Sequence, residues 1–277
     1  MSNRNVRSIL RKVFRKVFRR MRNSSAHWQR RIRRLRHHHC YSQRTERLSV
    51  VLLSYKRPRN IDKILSSLVL CDFIGEIILS NNNPLFRIED FITVNDPRLR
   101  TINQPERRYA SVRMEVSLTA ESDYILAIDD DIFLQPEQIR SLFEELVSNP
   151  SVPHGVRGEI FSETIPIKVA RIKHKNQSVD ALVWLFAYTR SHALKYFRLL
   201  DAIQIDNQDL DSSEDVPLSF AGESYARVHD IGPIHRCPTE NTKGIATCQI
   251  PGFMEQRISL VLKMRHLQNF NCDQLVR

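Results

Sequence analysis

Two rhythms of apolar residues alternate along most of this chain. Short apolar runs occur at Leu48–Leu53, Glu76–Leu79, Leu99–Ile102 and Tyr124–Ile128. Between them, apolar positions recur every three or four residues. Ile61, Ile64, Leu65, Leu68 and Val69 follow Pro58, which suits the first turn of a helix. Tyr109, Val112, Val116 and Leu118 mark a helix over 106–121, and 136–147 reads as another. Strand–helix alternation at this spacing predicts an α/β protein, a mostly parallel Rossmann-like sheet with helices on both faces. In such sheets ligands bind beyond the carboxyl ends of the strands. Those ends here are Ser54-Tyr55-Lys56-Arg57, Asn81-Asn82-Asn83 and Asp129-Asp130-Asp131, all polar and all expected in one crevice.

The second half is less regular. Residues 162–180 are polar and predict a loop, Leu182–Tyr188 a strand and Ser191–Leu200 a helix. Residues 201–213 read as acidic and flexible, Asp215–Tyr225 as a short helix, Val228–Ile231 as a strand, and Phe253–Leu267 as a final helix.

Charge divides the chain differently. The net charge is +11, yet residues 1–45 hold 15 Lys and Arg and no acid. The remaining 232 residues carry 27 basic against 31 acidic side chains, a net −4. The basicity is an N-terminal tail. In it Val6, Ile9, Leu10, Val13, Phe14, Val17, Phe18 and Met21 fall on one helical face among arginines and lysines. Trp28, Ile32 and Leu35 continue the pattern. Such a helix fits an anionic membrane surface, at about 1 kcal/mol per cation. A solvated or partner-binding arm and an organellar targeting peptide are the other readings. Peripheral attachment on the cytoplasmic side leads, because no run of 18 apolar residues and no secretory signal occurs. No nucleic-acid module follows the tail, so no nucleic-acid partner is expected. His37, His38, His39 and Cys40 read as solvated tail. The five cysteines form no CxxC; a Cys237–Cys248 bridge is sterically conceivable, and the lack of a secretory signal favours reduced thiols.

The candidate chemistry begins at Asp129-Asp130-Asp131. Strand alternation puts Asp129 and Asp131 on one side and Asp130 on the other. Carboxylates converging at a strand end suit a hard divalent cation that bridges diphosphate oxygens. A calcium loop is excluded, since Ile132, Phe133 and Leu134 stand where ligands and glycine are needed. The first strand–helix turn has no glycine, so neither a dinucleotide fingerprint nor a P-loop forms.

A strand ending in SYKRP, a strand ending in SNNNP, a helix with an internal Arg113, the DDD and a later EDVPLSF together resemble nucleotide-sugar glycosyltransferases of the GT-A fold. The likeness is greatest to the exostosin-like family, with family 2 glycosyltransferases nearly as close, and covers residues 48–265. It does not cover the basic tail, residues 1–45; it implies a GT-A domain over 46–277, with a nucleotide-binding half at 46–135 and an acceptor-binding half at 136–277. It also implies a hexosyl- or N-acetylhexosaminyl-transferase acting between a UDP-sugar and a glycan or glycolipid. Ser54, Tyr55 and Arg57 would line the uracil end, with Asn81 beside them. Asp129 and Asp130 would serve the donor, Asp129 at the ribose. Asp131, with Asp129, would hold Mn2+ or Mg2+. Arg113 would face the phosphates or sugar, and Asp215 would stand at the reacting sugar. Ser213 replaces the Cys or Asp of the exostosin pattern, and the segment Gly232–Cys248 departs from it, which leaves sugar and stereochemistry open.

Other positions have two readings each. His235 is a third metal ligand or a structural histidine. Arg157 reaches the donor sugar or a surface ion pair, and Arg257 the diphosphate or solvent. Trp184 and Phe186 stack on a sugar or pack in the core, and Glu214 partners a nearby cation. The strand-plus-DxD of haloacid-dehalogenase phosphatases is a rival enzyme class, and an inactive GT-A binding protein a non-enzymatic one.

Overall fold

The computed structural model describes residues 46–210, 213–237 and 251–275. Readings that fall on residues 1–45 and on Cys248 lie outside the described residues. The first half runs β1 (Leu48–Ser54), α1 (Ile61–Leu68), β2 (Ile74–Asn81), β3 (Leu99–Asn103), α2 (Val112–Leu118), β4 (Tyr124–Ile128), β5 (Ile132–Phe133) and α3 (Pro136–Ser148). The second half runs β6 (His154–Gly155), β7 (Arg157–Phe161), β8 (Val169–Lys173), β9 (Gln177–Val179), β10 (Ala181–Leu182), β11 (Leu185–Thr189), α4 (Arg190–Ala202), α5 (Asp215–Ser219), β12 (Ala226–Val228), β13 (His235–Arg236) and α6 (Phe253–Leu275).

The main sheet has the order β3-β2-β1-β4-β11-β6-β12-β9. Its first four strands are parallel, and β11 joins β4 antiparallel with Leu185 opposite Ile128. Strands β10, β7 and β8 form a second sheet, and β13 pairs with β5 in a short ribbon. The unbroken apolar runs follow from cover on both faces. Val50, Leu52, Leu126 and Ile128 pack with Ile64, Leu65 of α1 and Ile139, Leu142 of α3. Val51, Leu53, Ile125 and Ala127 pack on the other face with Val112, Val116 of α2 and Ala193, Tyr196 of α4. Three polar strand ends therefore leave one edge of one rigid sheet.

Pro58 opens the first helical turn as expected, a 3-10 turn over Pro58–Asn60, and the α-helix begins at Ile61. Five sequence expectations are corrected. The expected helix Asp215–Tyr225 ends at Ser219, and the expected strand Val228–Ile231 is β12, Ala226–Val228. The expected helix over 106–121 is a helix only from Val112 to Leu118. The expected loop at 162–180 contains β8 and β9; β8 has only Ile172 buried among its five residues, so its sequence carried little apolar signal. The expected strand Leu182–Tyr188 is two strands in different sheets, parted at Val183 and Trp184, where Trp184 has a φ of 81°.

A shallow depression of about 470 Å³ lies at the opposite end of β4, beside Asp123, Tyr124, Thr189 and Arg190. Arg190 there is occupied by the carbonyls of Leu118, Ala120 and Ser122, so its charge serves the chain itself.

Candidate active site

The aspartate triplet divides its labour by side. Asp130 turns inward, where its carboxylate accepts from the Tyr55 backbone N–H (3.1 Å) and from Arg57 Nη1 (2.8 Å). Its carbonyl accepts from Asn60 Nδ2 at 2.8 Å. Burial pushes the Asp130 carboxyl up and Arg57 opposes that shift. Asp130 thus ties the end of β1 to the end of β4. Asp129 and Asp131 are more open, with side chains 34% and 16% exposed. Arg57 reaches Asp131 too, at 3.2 Å.

Arg113, buried on α2, is the next layer. Its Nη2 donates to Asp129 Oδ1 at 2.5 Å and its Nε lies 3.0 Å from Glu214 Oε1. The guanidinium carbon sits 5.1 Å from the Phe186 ring centroid, so Phe186 is a buried floor for a cation. Two polar atoms here have no hydrogen-bond partner among the described residues, Arg113 Nη1 and Glu214 Oε2. A buried group left unpaired costs about 1–3 kcal/mol, and both atoms lie buried behind Asp129. Burial raises the Glu214 carboxyl to about 7, with Arg113 opposing the rise.

Asp215, next in sequence, faces a different cation. Both of its oxygens accept from Arg257 Nη1, at 2.6 and 2.7 Å. Arg257 Nε donates to Glu159 Oε2 at 3.0 Å. Arg257 is therefore buried inside the fold, which corrects both of its expected positions, solvent and diphosphate. Burial raises the Asp215 carboxyl and Arg257 counteracts it.

At the ends of β1 and β2 the expected residues come together by different routes. Tyr55 is half-buried, with Arg107 5.2 Å and Lys56 5.3 Å from its ring centroid; Arg107 also lies 4.7 Å from the ring of Tyr109. Asn81 is fully buried, and its amide donates to Phe86 O (2.7 Å) and Asn103 Oδ1 (3.0 Å). It shapes the turn that follows, and Asn83 Nδ2 donates to Tyr55 O at 3.1 Å. Ser54 Oγ is buried and unpartnered among the described residues. Arg107 and Tyr109 were missed because nothing in a polar loop sequence says which strand end it folds over.

His235 enters through the β13–β5 ribbon, opposite Phe133, with Nε2 3.4 Å from Gln135 Nε2. Among the described residues no group of three or more His, Cys, Asp or Glu is arranged to hold a metal. Asp129 and Asp131 are hard oxygen donors at the end of β4. That suits a cation that draws its remaining ligands from diphosphate and water. Trp184 is partly buried and packs against the core cluster that includes Val50, Leu52 and Ile128, and the guanidinium carbons of Arg157 and Arg236 each lie 4.0 Å from its ring centroid. Cys71 and Cys237 carry free thiols.

A parallel sheet whose central strand ends in paired carboxylates, beside a buried arginine, defines a class: a GT-A glycosyltransferase that uses a nucleotide-sugar. The chain belongs to glycosyl transferase family 2, whose profile matches residues 49–204. Among solved structures it is similar to GalNAc-T7 crystallised with UDP, GalNAc and Mn2+, with a TM-score of 0.52 and 10% identity over 72% of this chain. That overlap spans 45% of the GalNAc-T7 chain. S. aureus TarS (residues 1–349) aligns with a TM-score of 0.48 and 15% identity, over 70% of this chain and 61% of that one. No curated protein matches the sequence. Family membership also removes the dehalogenase-type phosphatase reading of the triplet.

Proposed function

We propose that this glycosyltransferase moves a hexosyl or N-acetylhexosaminyl group from a UDP-sugar to a glycan or glycolipid acceptor, with Mn2+ or Mg2+ at the diphosphate. The observation that carries the reading is the arrangement around Arg113. One buried guanidinium joins crevice-facing Asp129 to Glu214 and leaves Nη1 without a partner. A departing diphosphate needs its growing charge balanced by cations, and a preorganised guanidinium supplies that without reorganisation. Asp129 and Asp131 would hold the metal, which neutralises diphosphate charge when bound; His235 is the third donor in this reading. Tyr55, Ser54, Arg57 and Asn81 form the uracil end, directly or by shaping it, and Asp130 holds the two strand ends together.

Asp215 is the carboxylate at the reacting sugar. Burial raises its carboxyl and Arg257 opposes that rise, and each oxygen retains a lone pair with which to accept a proton from the acceptor hydroxyl. The exostosin-like relation and the membrane location belong to the same reading, the latter resting on residues 1–45. The SYKRP, SNNNP, DDD and ED order supports the former.

Thermal shift with UDP-, GDP- and CDP-sugars, with Mn2+ and with chelator, tests donor and metal together. A shift with one UDP-sugar that disappears on chelation and in Asp131→Asn is expected. No shift with any nucleotide would leave an inactive binding protein of this fold. Deleting residues 1–45 should abolish binding to anionic liposomes, and unchanged binding would end the membrane assignment.

A further inference from the structure

The sheet of β10, β7 and β8 neutralises its buried acids from one helix and leaves its cations exposed. Its two buried acids are each met by an arginine of α6: Glu159 by Arg257 at 2.9 Å and Asp180 by Arg265 at 3.0 Å. The remaining side chains of residues 162–178 include Lys168, Arg171, Lys173 and Lys175, all exposed, against the single acid Glu163. His174 lies 3.6 Å from Asp230. On a body with a net charge of −4 outside the tail, this is a local reversal of sign.

The cations also have a direction. Lys173 is opposite Arg157 in the antiparallel pair of β7 and β8, so both side chains leave the same face. The Arg157 guanidinium carbon lies 4.0 Å from the Trp184 ring centroid, and that of Arg236 lies equally close. Trp184 precedes Leu185, the register partner of Ile128, so it leaves the sheet beside Asp129. Arg236 is opposite Ile132, next to Asp131. Trp184 holds a φ of 81°, a conformation that costs a bulky residue about 1–3 kcal/mol and persists where the surroundings demand it. The ring is thus held in a strained position that carries two guanidiniums at the mouth of the crevice.

We infer that Arg171, Lys173, Arg157 and Arg236 form a cationic strip leading to Asp129, and that the acceptor is an anionic glycan bearing carboxylate or phosphate groups. The inference rests on the glycosyltransferase reading and deepens it. A membrane surface is disfavoured as occupant, because the strip runs into the crevice beside the aspartates.

The test uses the full chain, so that the basic tail is common to every sample. Fluorescence anisotropy is measured with labelled oligogalacturonate, a phosphorylated oligomannoside and a neutral malto-oligosaccharide of equal length. Arg171→Glu with Lys173→Glu should weaken at least one anionic oligosaccharide about tenfold, or about 1.4 kcal/mol. The arm that responds names the acidic group. The control, Arg198→Glu with Lys263→Glu, makes the same change of net charge on exposed positions elsewhere and should stay within twofold. Equal losses in both double variants, or wild-type binding by the strip variant with unchanged Tm, would overturn the proposal. So would a loss confined to anionic vesicles. Absence of any nucleotide shift in the wild type would sink the donor reading alone and leave this result standing.

Discussion

Arg113 and Arg257 are both buried, and each bridges two carboxylates, yet they are built for different ends. Arg257 holds Asp215 through both oxygens and Glu159 through one, and neither acid faces the crevice as openly as Asp129 does. Arg113 joins Glu214 to Asp129, whose side chain is one-third exposed, and leaves an N–H and a carboxylate oxygen unpaired. Each guanidinium keeps one nitrogen without a hydrogen-bond partner among the described residues, Arg113 Nη1 and Arg257 Nη2. What differs is exposure: Arg113 shares its charge with a carboxylate that is one-third exposed, whereas both acids on Arg257 are buried.

The largest effect should come from the open side. Asp131→Ala should lower turnover by about three decades, some 4 kcal/mol of transition-state stabilisation, with the fold intact. Near-normal turnover in a steady-state assay would remove Asp131 from the donor site.

Arg257→Met strips two buried carboxylates of their cation and should cost about 3–5 kcal/mol of stability. For a domain of this size that lowers Tm by about 10 °C, readable by calorimetry. An unchanged Tm would place Arg257 in the crevice and erase the contrast between the two arginines.

Glu214→Gln keeps the shape and removes the charge that steadies Arg113. Turnover should fall about tenfold to a hundredfold, while Tm holds or rises, because burial already opposes the ionised form. A fall in Tm as large as that of Arg257→Met would make the two arrangements one kind.

The smallest effect is in pH dependence. Glu214 stays protonated in the folded chain up to about pH 7, whereas an unfolded one ionises near 4.5. Its contribution is therefore present below pH 4.5 and lost as pH rises to 7, by an amount of order 2 kcal/mol. Burial lowers His192 and His229 to about 4, so their contribution runs oppositely and is lost as pH falls from 6.5 to 4. Denaturant titrations of Glu214→Gln and His192→Gln should separate the two slopes. Parallel curves for wild type and Glu214→Gln would show that Glu214 titrates normally.

Much of the parallel core was legible in the chain. Strands β1 and β4 needed continuous Val, Ile and Leu because both their faces are covered, and the polar triplets marked where cover ends. The second half was less so. Strand β8 exposes most of its side chains, and β7, β9 and β10 are too short to set a rhythm; their places come from pairing with distant segments. Gly158 of β7 illustrates this, since a Cβ there would meet Val179 at 2.7 Å, a fact of approach between strands.

By itself the sequence determined the frame of the crevice: which parallel strands exist and that their polar ends share one edge. These follow from local periodicity. Only the tertiary structure decided which cation each acid receives. Arg257 lies 42 residues from Asp215, and Arg113 is far from Glu214 in the chain, so no spacing rule relates them. Adjacent in sequence, Glu214 and Asp215 diverge because successive side chains at a helix start point to different neighbours. Ion pairing depends on distance through space and on burial, and both are set by how the layers pack.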